Sequence, residues 1–457
     1  MNNDNDTIAA VSTCPGEAGI GIVRMSGPCA LSIASKIFRP KNKKDVNRFA
    51  THTVHLGAVV EGERAVDEAL LTVMRAPRSY TCEDIAEISC HGGLLIIKKV
   101  VELCVKNGAR PAEPGEFTKR AYLNGRLDLS QAEAVCDVIK ARTDAALSCA
   151  VSQLSGALSN LVNKQKGLLT DLMAELEAGI DYSEEDIPSP GPGVISKKIA
   201  EVEAGIERIV STFETGKILK NGVRTAIIGR PNVGKSSLLN ALTGEDRAIV
   251  TEFPGTTRDV IEETLNIGGI PLVLMDTAGI RKHTSDAVEK IGIDRAYGAI
   301  KNAELVLFVL DASLEPDGED RRIKGLIGGK KKIFVLNKCD LGVAAGAAAF
   351  ADGAAAAKIS ALKNEGMDGL KKVIYGMFIT KGTGAGEFLL TSVRHKVLLD
   401  DAAEHLGKAR AAAENGMSAE FVAADVRAAL DSLGGITGDV TTEDILGRIF
   451  SNFCVGK

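Results

Sequence analysis

A glycine-rich segment, Gly229-Arg-Pro-Asn-Val-Gly234-Lys235-Ser236, stands between an apolar run and an amphipathic run of this 457-residue chain. Its spacing is that of a phosphate-binding loop, in which glycines let backbone N–H groups close around phosphate oxygens. The positive end of the following helix would add to this, Lys235 would neutralise β/γ oxygens, and the Ser236 hydroxyl would bind Mg²⁺. The segment therefore predicts a nucleoside triphosphate site. A glycine-rich turn without a ligand is the alternative, which the strand-to-helix context disfavours.

A second motif predicts which base is bound. Asn337-Lys-Cys-Asp340 ends the apolar run KKIFVLN. A carboxylate there can accept hydrogen bonds from guanine N1–H and N2–H₂, whereas adenine has no donors at those positions. A polar site of this kind discriminates by roughly 10⁴, because the wrong base leaves a buried group unpaired. Backbone N–H groups of Ser360-Ala361, after the next strand, would support the base. The predicted nucleotide is GTP.

Two segments between these motifs bear on hydrolysis, GTTRD (255–259) and DTAGI (276–280). Threonines in the first are placed to reach Mg²⁺ and to respond to the γ-phosphate, although a polar loop without this role is the alternative. Ras-like enzymes have a water-orienting glutamine directly after DTAG. Here the position holds Ile280, whose side chain cannot form a hydrogen bond. Another group must therefore assist the reaction.

Four residues are candidates for that assistance. Arg258 or Arg281 could serve as an arginine finger, but a solvated switch charge is an equally good interpretation of either. Asn232 places a side-chain carbonyl beside the phosphates, where a monovalent cation could bridge. Glu289, in VEKIG, is a carboxylate that could hold the water, with an exposed helix position as the alternative.

The bulk composition is that of a soluble globular protein with two or three domains. Hydrophobic residues make up 45% of the chain, and the formal charge of −5 argues against bulk electrostatic binding of nucleic acid. The nine cysteines include no C-x-x-C pair, which is typical of reduced thiols in a cytoplasm and of no zinc site. The N-terminus is not a signal peptide, and no apolar run is long enough to span a bilayer.

The sequence pattern predicts three kinds of structural unit that position these motifs. Residues 1 to about 125 alternate strand-like and helical runs, among them GIGIVRMSGP (19–28) and EDIAEISCHGG (83–93), and predict a compact α+β unit. Helical periodicity follows, with a capping box at Ser130-Gln-Ala-Glu133 and a run to about Gly179; a second helix follows through Phe213. A middle block, about 217–380, alternates apolar strands and helices, as in a parallel sheet covered on both faces. The Ala/Gly-rich stretch 342–358 is expected to be a surface helix or loop.

Six segments together resemble the MnmE (TrmE) family of tRNA modification GTPases, over essentially the whole chain. They are GRPNVGKSSLLNAL, GTTRDV, DTAGIRK, VEKIGIDRA, FTKRAYLNGRLDLSQAEAV and the terminal GRIFSNFCVGK. The resemblance implies a folate-binding and dimerisation domain at 1–125 and a discontinuous helical domain at 126–216 and 381–457. It also implies an inserted Ras-like G domain with a mostly parallel sheet at 217–380.

The same resemblance assigns site residues. K⁺ would replace the arginine finger, held by Asn232, by backbone oxygens of Thr251 and Phe253, and by Thr256. Ser236 and Thr257 match the Mg²⁺ ligands, Glu289 matches the glutamate that orients water, and Cys454 matches the family's C-terminal cysteine. The tetrahydrofolate site maps onto Arg24, Glu83, Arg126 and Lys457. Predicted GTP contacts are Asn232, Val233, Gly234, Lys235, Ser236, Ser237, Thr251, Thr256, Thr257, Asp276, Thr277, Ala278, Gly279, Asn337, Lys338, Asp340, Ser360 and Ala361.

The implied partners are a second copy of the chain, tRNA, and the FAD-binding protein MnmG in a heterotetramer, without a membrane. Such complexes add a carboxymethylaminomethyl group at carbon 5 of the wobble uridine, with a one-carbon unit from a 5-formyl or methylene tetrahydrofolate. Two alternatives stay open at this point. One is a ribosome-assembly or other RNA-binding regulatory GTPase, which predicts an appended RNA-binding module or a second G domain. The other is a purely mechanical GTPase.

Overall fold

A computed structural model describes residues 6–14, 16–181, 190–246, 263–275, 298, 300–351, 353–379 and 388–457. Several predicted site residues lie outside these ranges. They are Thr251, Phe253, Thr256, Thr257, the DTAG residues Asp276, Thr277, Ala278 and Gly279, the following Ile280, and Glu289. The candidate arginines Arg258 and Arg281 also lie outside the described residues.

The N-terminal part is a seven-stranded sheet with helices on one face. Its strands are β1 (Ile8–Val11), β2 (Ala18–Ser26), β3 (Phe38–Pro40), β4 (Thr53–Glu61), β5 (Arg64–Met74), β6 (Ile85–Gly92) and β7 (Arg110–Pro111), in spatial order β3-β4-β5-β6-β2-β1-β7. Helices α1 (Ala30–Ile37) and α2 (Leu94–Lys106) pack their apolar residues on the buried face, with Val23, Leu71 and Ile88. The predicted strands at 19–28 and 83–93 are β2 and β6.

A series of helices leads from this sheet to the middle block. They are α3 (Glu116–Leu123), α4 (Leu129–Lys140), α5 (Asp144–Leu154), α6 (Ala157–Asp181), α7 (Pro192–Val210) and α8 (Phe213–Asn221). The expected continuous run to Gly179 is thus wrong, since it breaks at 141–143 and again at 155–156. The capping box also lies earlier than predicted: the Asp128 carboxylate accepts from the Gln131 backbone, and the Gln131 side chain accepts from the Asp128 backbone.

The middle block is a six-stranded sheet, parallel except at one edge. Its strands are β8 (Val223–Ile228), β9 (Glu263–Ile267), β10 (Ile270–Leu274), β11 (Leu305–Asp311), β12 (Lys331–Asn337) and β13 (Ala356–Lys358), in order β13-β12-β11-β8-β10-β9. The described helices are α9 (Lys235–Asp246), α10 (Gly318–Ile327), α11 (Ala345–Phe350) and α12 (Met367–Phe378). Within the Ala/Gly-rich stretch, α11 is the expected helix, but its Ala347 is fully buried.

A second series of helices follows the inserted sheet: α13 (Val393–Glu414), α14 (Ala419–Thr437) and α15 (Glu443–Phe450). Its apolar residues from Leu390 to Ile436 join those from Leu158 to Phe213 in one hydrophobic cluster. Two segments far apart in sequence therefore share one core, and the parallel sheet is inserted between them.

Candidate functional site

The phosphate-binding loop connects β8 to α9 at the carboxyl edge of the parallel sheet. Gly229, Asn232 and Gly234 have positive φ angles of 150°, 61° and 97°. A Cβ atom on Gly234 would lie 2.1 Å from Asn337 Nδ2, so this position admits only glycine without a rearrangement. Asn232 is exposed on the loop, and Ser236 and Ser237 lie half-buried in the first turn of α9.

Lys235 is directed back at its own loop. Its Nζ donates to the carbonyl oxygens of Gly229, at 2.7 Å, and Arg230, at 2.6 Å. Burial lowers the pKa of Lys235 to about 8, and the negative charge of Glu319 only partly opposes this. A phosphate is the partner whose charge would offset the cost of holding this ammonium group away from water.

Asn337 joins the phosphate loop to the predicted base-binding loop. Its Nδ2 donates to the Val233 carbonyl at 2.9 Å, and its Oδ1 accepts from the Ala361 backbone N–H at 3.0 Å. The residue is 2% exposed. Both ends of its amide are thus used by protein backbone, which gives Asn337 the geometry of a fixed brace between the two loops.

Asp340 and Lys338 are also held by neighbours. A hydrogen bond from Ser360 lowers the pKa of Asp340, and Lys363 Nζ lies 3.3 Å from its carboxylate. Lys338 Nζ donates to Asp311 Oδ2 at 2.7 Å. The structure therefore brings Asp340, Ser360 and Ala361 to the ends of adjacent strands, with the acidic group favoured in its ionised form.

One anchor of this loop was missed from the sequence. Arg230 forms an ion pair with Asp317, and its Nε lies 3.0 Å from Asp320 Oδ1. Asp317 and Asp320 form the capping box of α10. The spacing D-x-x-D before a helix is a recognisable capping signal, but it gives no indication that an arginine from the phosphate loop binds there.

Two of the four predicted folate residues lie beside the Tyr80 ring, and a third, Lys457, interacts electrostatically with one of them. The Arg24 guanidinium lies 5.6 Å from the Tyr80 ring centre and also pairs with Glu87 at 2.7 Å. The Arg126 guanidinium lies 4.8 Å from the same ring. Burial lowers the pKa of Lys457, and the positive charge of Arg24 lowers it further. This cationic group has no sequence signature apart from the family resemblance, and Tyr80 was not predicted.

Glu83, the fourth predicted folate residue, has different neighbours from the other three. It accepts from Ser26 Oγ at 2.7 Å and from Arg120 Nη1 at 3.1 Å. It lines a cavity of about 780 Å³ between α3 and α15, and Arg24, Arg126 and Lys457 do not. The Glu83 carboxylate, which the resemblance assigns to folate binding, is therefore already paired with Arg120, a residue that was not predicted.

The C-terminal segment delivers Lys457 to this region. Its Cys454 carbonyl accepts from the Gly115 backbone N–H at 3.4 Å, and its Gly456 carbonyl accepts from Ser12 Oγ at 3.2 Å. Cys454 itself is exposed. The last residues of the chain are thus attached to the N-terminal sheet, 444 positions earlier in the sequence.

Two searches over the described ranges bear on metals and membranes. No group of three or more His, Cys, Asp or Glu residues there could hold a metal ion. Among the same residues no single helix is long and apolar enough to cross a membrane, although α5 and α6 together reach that length and composition with a 44° bend.

Comparisons with known proteins agree along the whole chain. Family models match residues 7–126 ("GTP-binding protein TrmE N-terminus") and 129–454 ("MnmE helical domain"). The tRNA modification GTPase MnmE of Thermoanaerobacter pseudethanolicus is 47% identical over 458 residues, and that of Desulforamulus reducens is 45% identical over 460. The alignments cover 99% of this chain and 99% or 100% of those proteins.

The chain belongs to the MnmE family of tRNA modification GTPases. The predicted resemblance is confirmed, together with the fold class and the assignment to the GTPases. The ribosome-assembly alternative lacks comparable support. A solved structure of Aquifex aeolicus Era bound to GDP and aluminium fluoride is 25% identical over 40% of this MnmE-family chain and 66% of its own, but its TM-score is 0.26.

Proposed function

We propose that this chain hydrolyses GTP to drive the modification of certain tRNAs at carbon 5 of the wobble uridine, together with the FAD-binding protein MnmG. The observation that carries the proposal is the braced GTP site formed by Lys235, Asn337 and Asp340. It occurs in a chain that matches MnmE relatives over 99% of its length. The group added would be carboxymethylaminomethyl, and the one-carbon unit would come from a 5-formyl or methylene tetrahydrofolate.

In the GTP site, each described residue has a definable task. Lys235 would leave the carbonyls of Gly229 and Arg230 and bind β/γ oxygens, while the N–H groups of 232–237 cradle the phosphates. The ionised Asp340 would accept from guanine, and Ser360 and Ala361 would support the base. Ser236 and Thr257 would hold Mg²⁺, which neutralises the phosphates when bound.

We expect K⁺ to take the part of an arginine finger. The exposed Asn232, on a loop with left-handed backbone at that residue, is placed to present its side-chain oxygen beside the phosphates. Thr251, Phe253 and Thr256 would supply the other oxygens, and Glu289 would orient the attacking water. We expect Asn232→Ala to abolish the difference in hydrolysis rate between KCl and NaCl with little loss of GTP affinity. Equal rates in the two salts for the unmodified protein would contradict this assignment.

The folate site would use the cations around Tyr80. Arg24, Arg126 and Lys457 form a positive region that suits an anionic glutamate tail, beside an aromatic ring. Glu83 would accept from pterin N–H groups only after exchanging its present partner Arg120. Tetrahydrofolate, when bound, would carry the one-carbon unit, and these residues would bind and orient it.

The proposed assembly is a cytoplasmic homodimer through the N-terminal sheet, with MnmG completing a heterotetramer. The sheet face opposite α1 and α2 carries exposed apolar side chains of Ile20, Val54, Leu56 and Leu70. An unpartnered apolar face of this kind is typical of an interaction site. The domain boundaries proposed with it are 1–125, 126–216, 217–380 and 381–457.

Complementation tests the function as a whole. The chain is expressed in a bacterium that lacks its own MnmE-family gene, and wobble uridines are analysed by nucleoside mass spectrometry. We expect the carbon-5 modification to return, and to stay absent with Lys235→Ala. Lys332→Ala, a change of the same type at a lysine of β12 outside the phosphate loop, is the matched control and should complement. An unchanged tRNA profile on complementation would overturn the proposal.

A further inference from the structure

Helix α4 contacts the C-terminal segment near the proposed folate site. Arg126 lies three residues before its first residue, Leu129. Along the helix, Cys136 Sγ and Lys140 Nζ both donate to the Asn452 carbonyl of the C-terminal segment, at 3.8 and 3.1 Å. A displacement of α4 would therefore move the C-terminal segment that carries Lys457, through these two hydrogen bonds.

The residues directly after α4 contact the GTP-binding sheet. Arg142 Nη1 donates to Thr264 Oγ1 on β9 at 2.6 Å, and Thr143 Oγ1 donates to the Gly269 carbonyl at 3.1 Å. A Cβ on Gly269 would lie only 3.2 Å from Ala145 Cβ. The backbones thus approach closely, and a shift of this turn would press on the start of α5.

The hairpin contacted here connects the two segments predicted to bear on GTP hydrolysis. β9 follows GTTRD (255–259), and β10 leads into DTAG (276–279). The hairpin closes through Gly268 and Gly269, both with positive φ, and its strands pair without a break from Ile267–Ile270 to Glu263–Leu274. A two-residue turn of this type holds strands in fixed register, so motion at their far ends is carried to the turn.

Side contacts hold α4 as a rigid element. Asp137 pairs with Lys220 of α8 at 2.7 Å, and Glu133 pairs with Arg394 at 2.7 Å and His395 at 2.8 Å on α13. A helix of this length spans roughly 18 Å at 1.5 Å per residue. The helix is thus a stiff connection between hairpin and C-terminal segment.

From these contacts we propose that α4 transmits the nucleotide state of the GTP site to the folate site, with Arg142 as the positioning residue at the hairpin. The proposal rests on the proposed function, since it links the two sites named there. Because coupling between two ligands is reciprocal, folate must also change nucleotide affinity by the same factor.

Calorimetric titration of the full-length protein with 5-formyltetrahydrofolate tests this. The folate Kd is measured with GDP alone and with GDP, aluminium fluoride and K⁺. We expect the two values to differ by about fivefold or more in the unmodified protein, within the usual range of coupling. In Arg142→Ala the ratio should fall below about twofold, while the Kd with GDP alone stays unchanged.

Three further variants separate coupling from general damage. Arg208→Ala removes an exposed arginine whose Nε donates to the Ala204 carbonyl of its own helix, and should keep the full ratio. Arg142→Lys should restore most of it. Thr264→Val removes the hydroxyl that accepts from Arg142 without changing side-chain shape. Combined with Arg142→Ala, it should lower the ratio of folate Kd values no further than Arg142→Ala alone.

The outcomes are distinguishable. Equal folate affinity in both nucleotide states of the unmodified protein would overturn the inference alone, as would a full ratio in Arg142→Ala. A protein that binds no folate in either state would overturn the proposed function as well. Basal GTP hydrolysis should stay within about twofold in Arg142→Ala, because Arg142 bonds to β9, at the sheet edge away from the phosphate loop.

Discussion

At the scale of single residues, Lys235 is held in a state that nucleotide binding would change. Burial lowers its pKa to about 8, below the ordinary value of 10.5, and a bound phosphate would raise it again. Binding above pH 8 must therefore take up a proton. We expect GTP affinity to be flat from pH 6.5 to 7.5 and to fall by up to about tenfold per pH unit above pH 8.

Calorimetry in two buffers of different ionisation enthalpy measures this proton uptake. Lys235→Arg supplies the control, because a guanidinium group stays charged throughout this range. The affinity of this variant, although weaker, should not change between pH 7 and 9. A flat profile in the unmodified protein over that range would show that Lys235 is already paired before the nucleotide binds.

The sequence was sufficient to single out the motif residues of the proposed GTP site but not their partners in the folded chain. Lys235, Asn337 and Asp340 belong to short motifs whose spacing is fixed by the loop they form. Their contacts depend on which strands lie side by side, and nothing in NKCD indicates that Asn337 braces Val233 and Ala361. The pairing of Arg120 with Glu83 is likewise a tertiary contact between residues 37 positions apart.

At the scale of elements, the sequence pattern predicted β2, β6 and the alternation of strands and helices in the inserted sheet. It missed the hairpin of β4 and β5 and misplaced the breaks between α4, α5 and α6. The run 130–179 keeps apolar residues at helical spacing across both breaks, so periodicity alone does not reveal them, although Ser155-Gly156 is a turn signal at the second. The signals that mattered were caps: Asp128 begins α4, and Thr143 begins α5 by accepting from the Ala146 backbone. β9 was not predicted, because it is a short edge strand that follows a long polar segment.

A buried charge cluster attaches α4 to α13 and provides a test at this scale. Burial alone would raise the pKa of Glu133, but His395 and Arg394 lower it to about 2. The pKa is thus below its ordinary value of 4.5, so Glu133 stabilises the fold fully above pH 4.5, and this stabilisation is lost as pH falls to 2. Glu133→Gln should lower the free energy of unfolding by about 3 kcal/mol at pH 7, because it leaves the charge of Arg394 without its carboxylate partner.

Urea unfolding followed by far-ultraviolet circular dichroism at pH 7 and pH 3 checks this value. The difference between Glu133→Gln and the unmodified protein should shrink at the lower pH. Glu175→Gln, which breaks the exposed pair with Lys198, is the matched control and should cost less than about 1 kcal/mol. A Glu133→Gln protein as stable as this control would mean that the cluster does not attach the two helices.

At the scale of the whole molecule, the N-terminal sheet has one face that α1 and α2 leave open, and α3 covers its β1 end, where Phe117 packs with Ile8 and Ala10. Leu56 pairs with Leu70, and the row continues through Ser89 to Ile22 across the strands. The neighbouring row contains Val54, Thr72, Glu87 and Arg24, so the apolar face adjoins the arginine of the proposed folate site. A second copy seated on this face would bury the apolar row and border that site.

This arrangement predicts the effect of a charge placed on the open face. Leu70 is 42% exposed in the single chain, so Leu70→Asp should leave the sheet folded but bury an unpaired carboxylate in any dimer formed there. We expect the dimer to dissociate at least tenfold more readily, which corresponds to about 1.4 kcal/mol or more. Size-exclusion chromatography with light scattering over a range of protein concentrations measures this.

The matched control for Leu70→Asp is Leu362→Asp, the same change at a side chain that is 86% exposed near the GTP site, which should leave the dimer intact. GTP binding should persist in Leu70→Asp, because Lys235 and Asn337 belong to the other sheet. A Leu70→Asp protein that stays dimeric at the same concentrations would show that the copies associate elsewhere. A monomeric protein that still binds folate would show that the cations around Tyr80 suffice without the second copy.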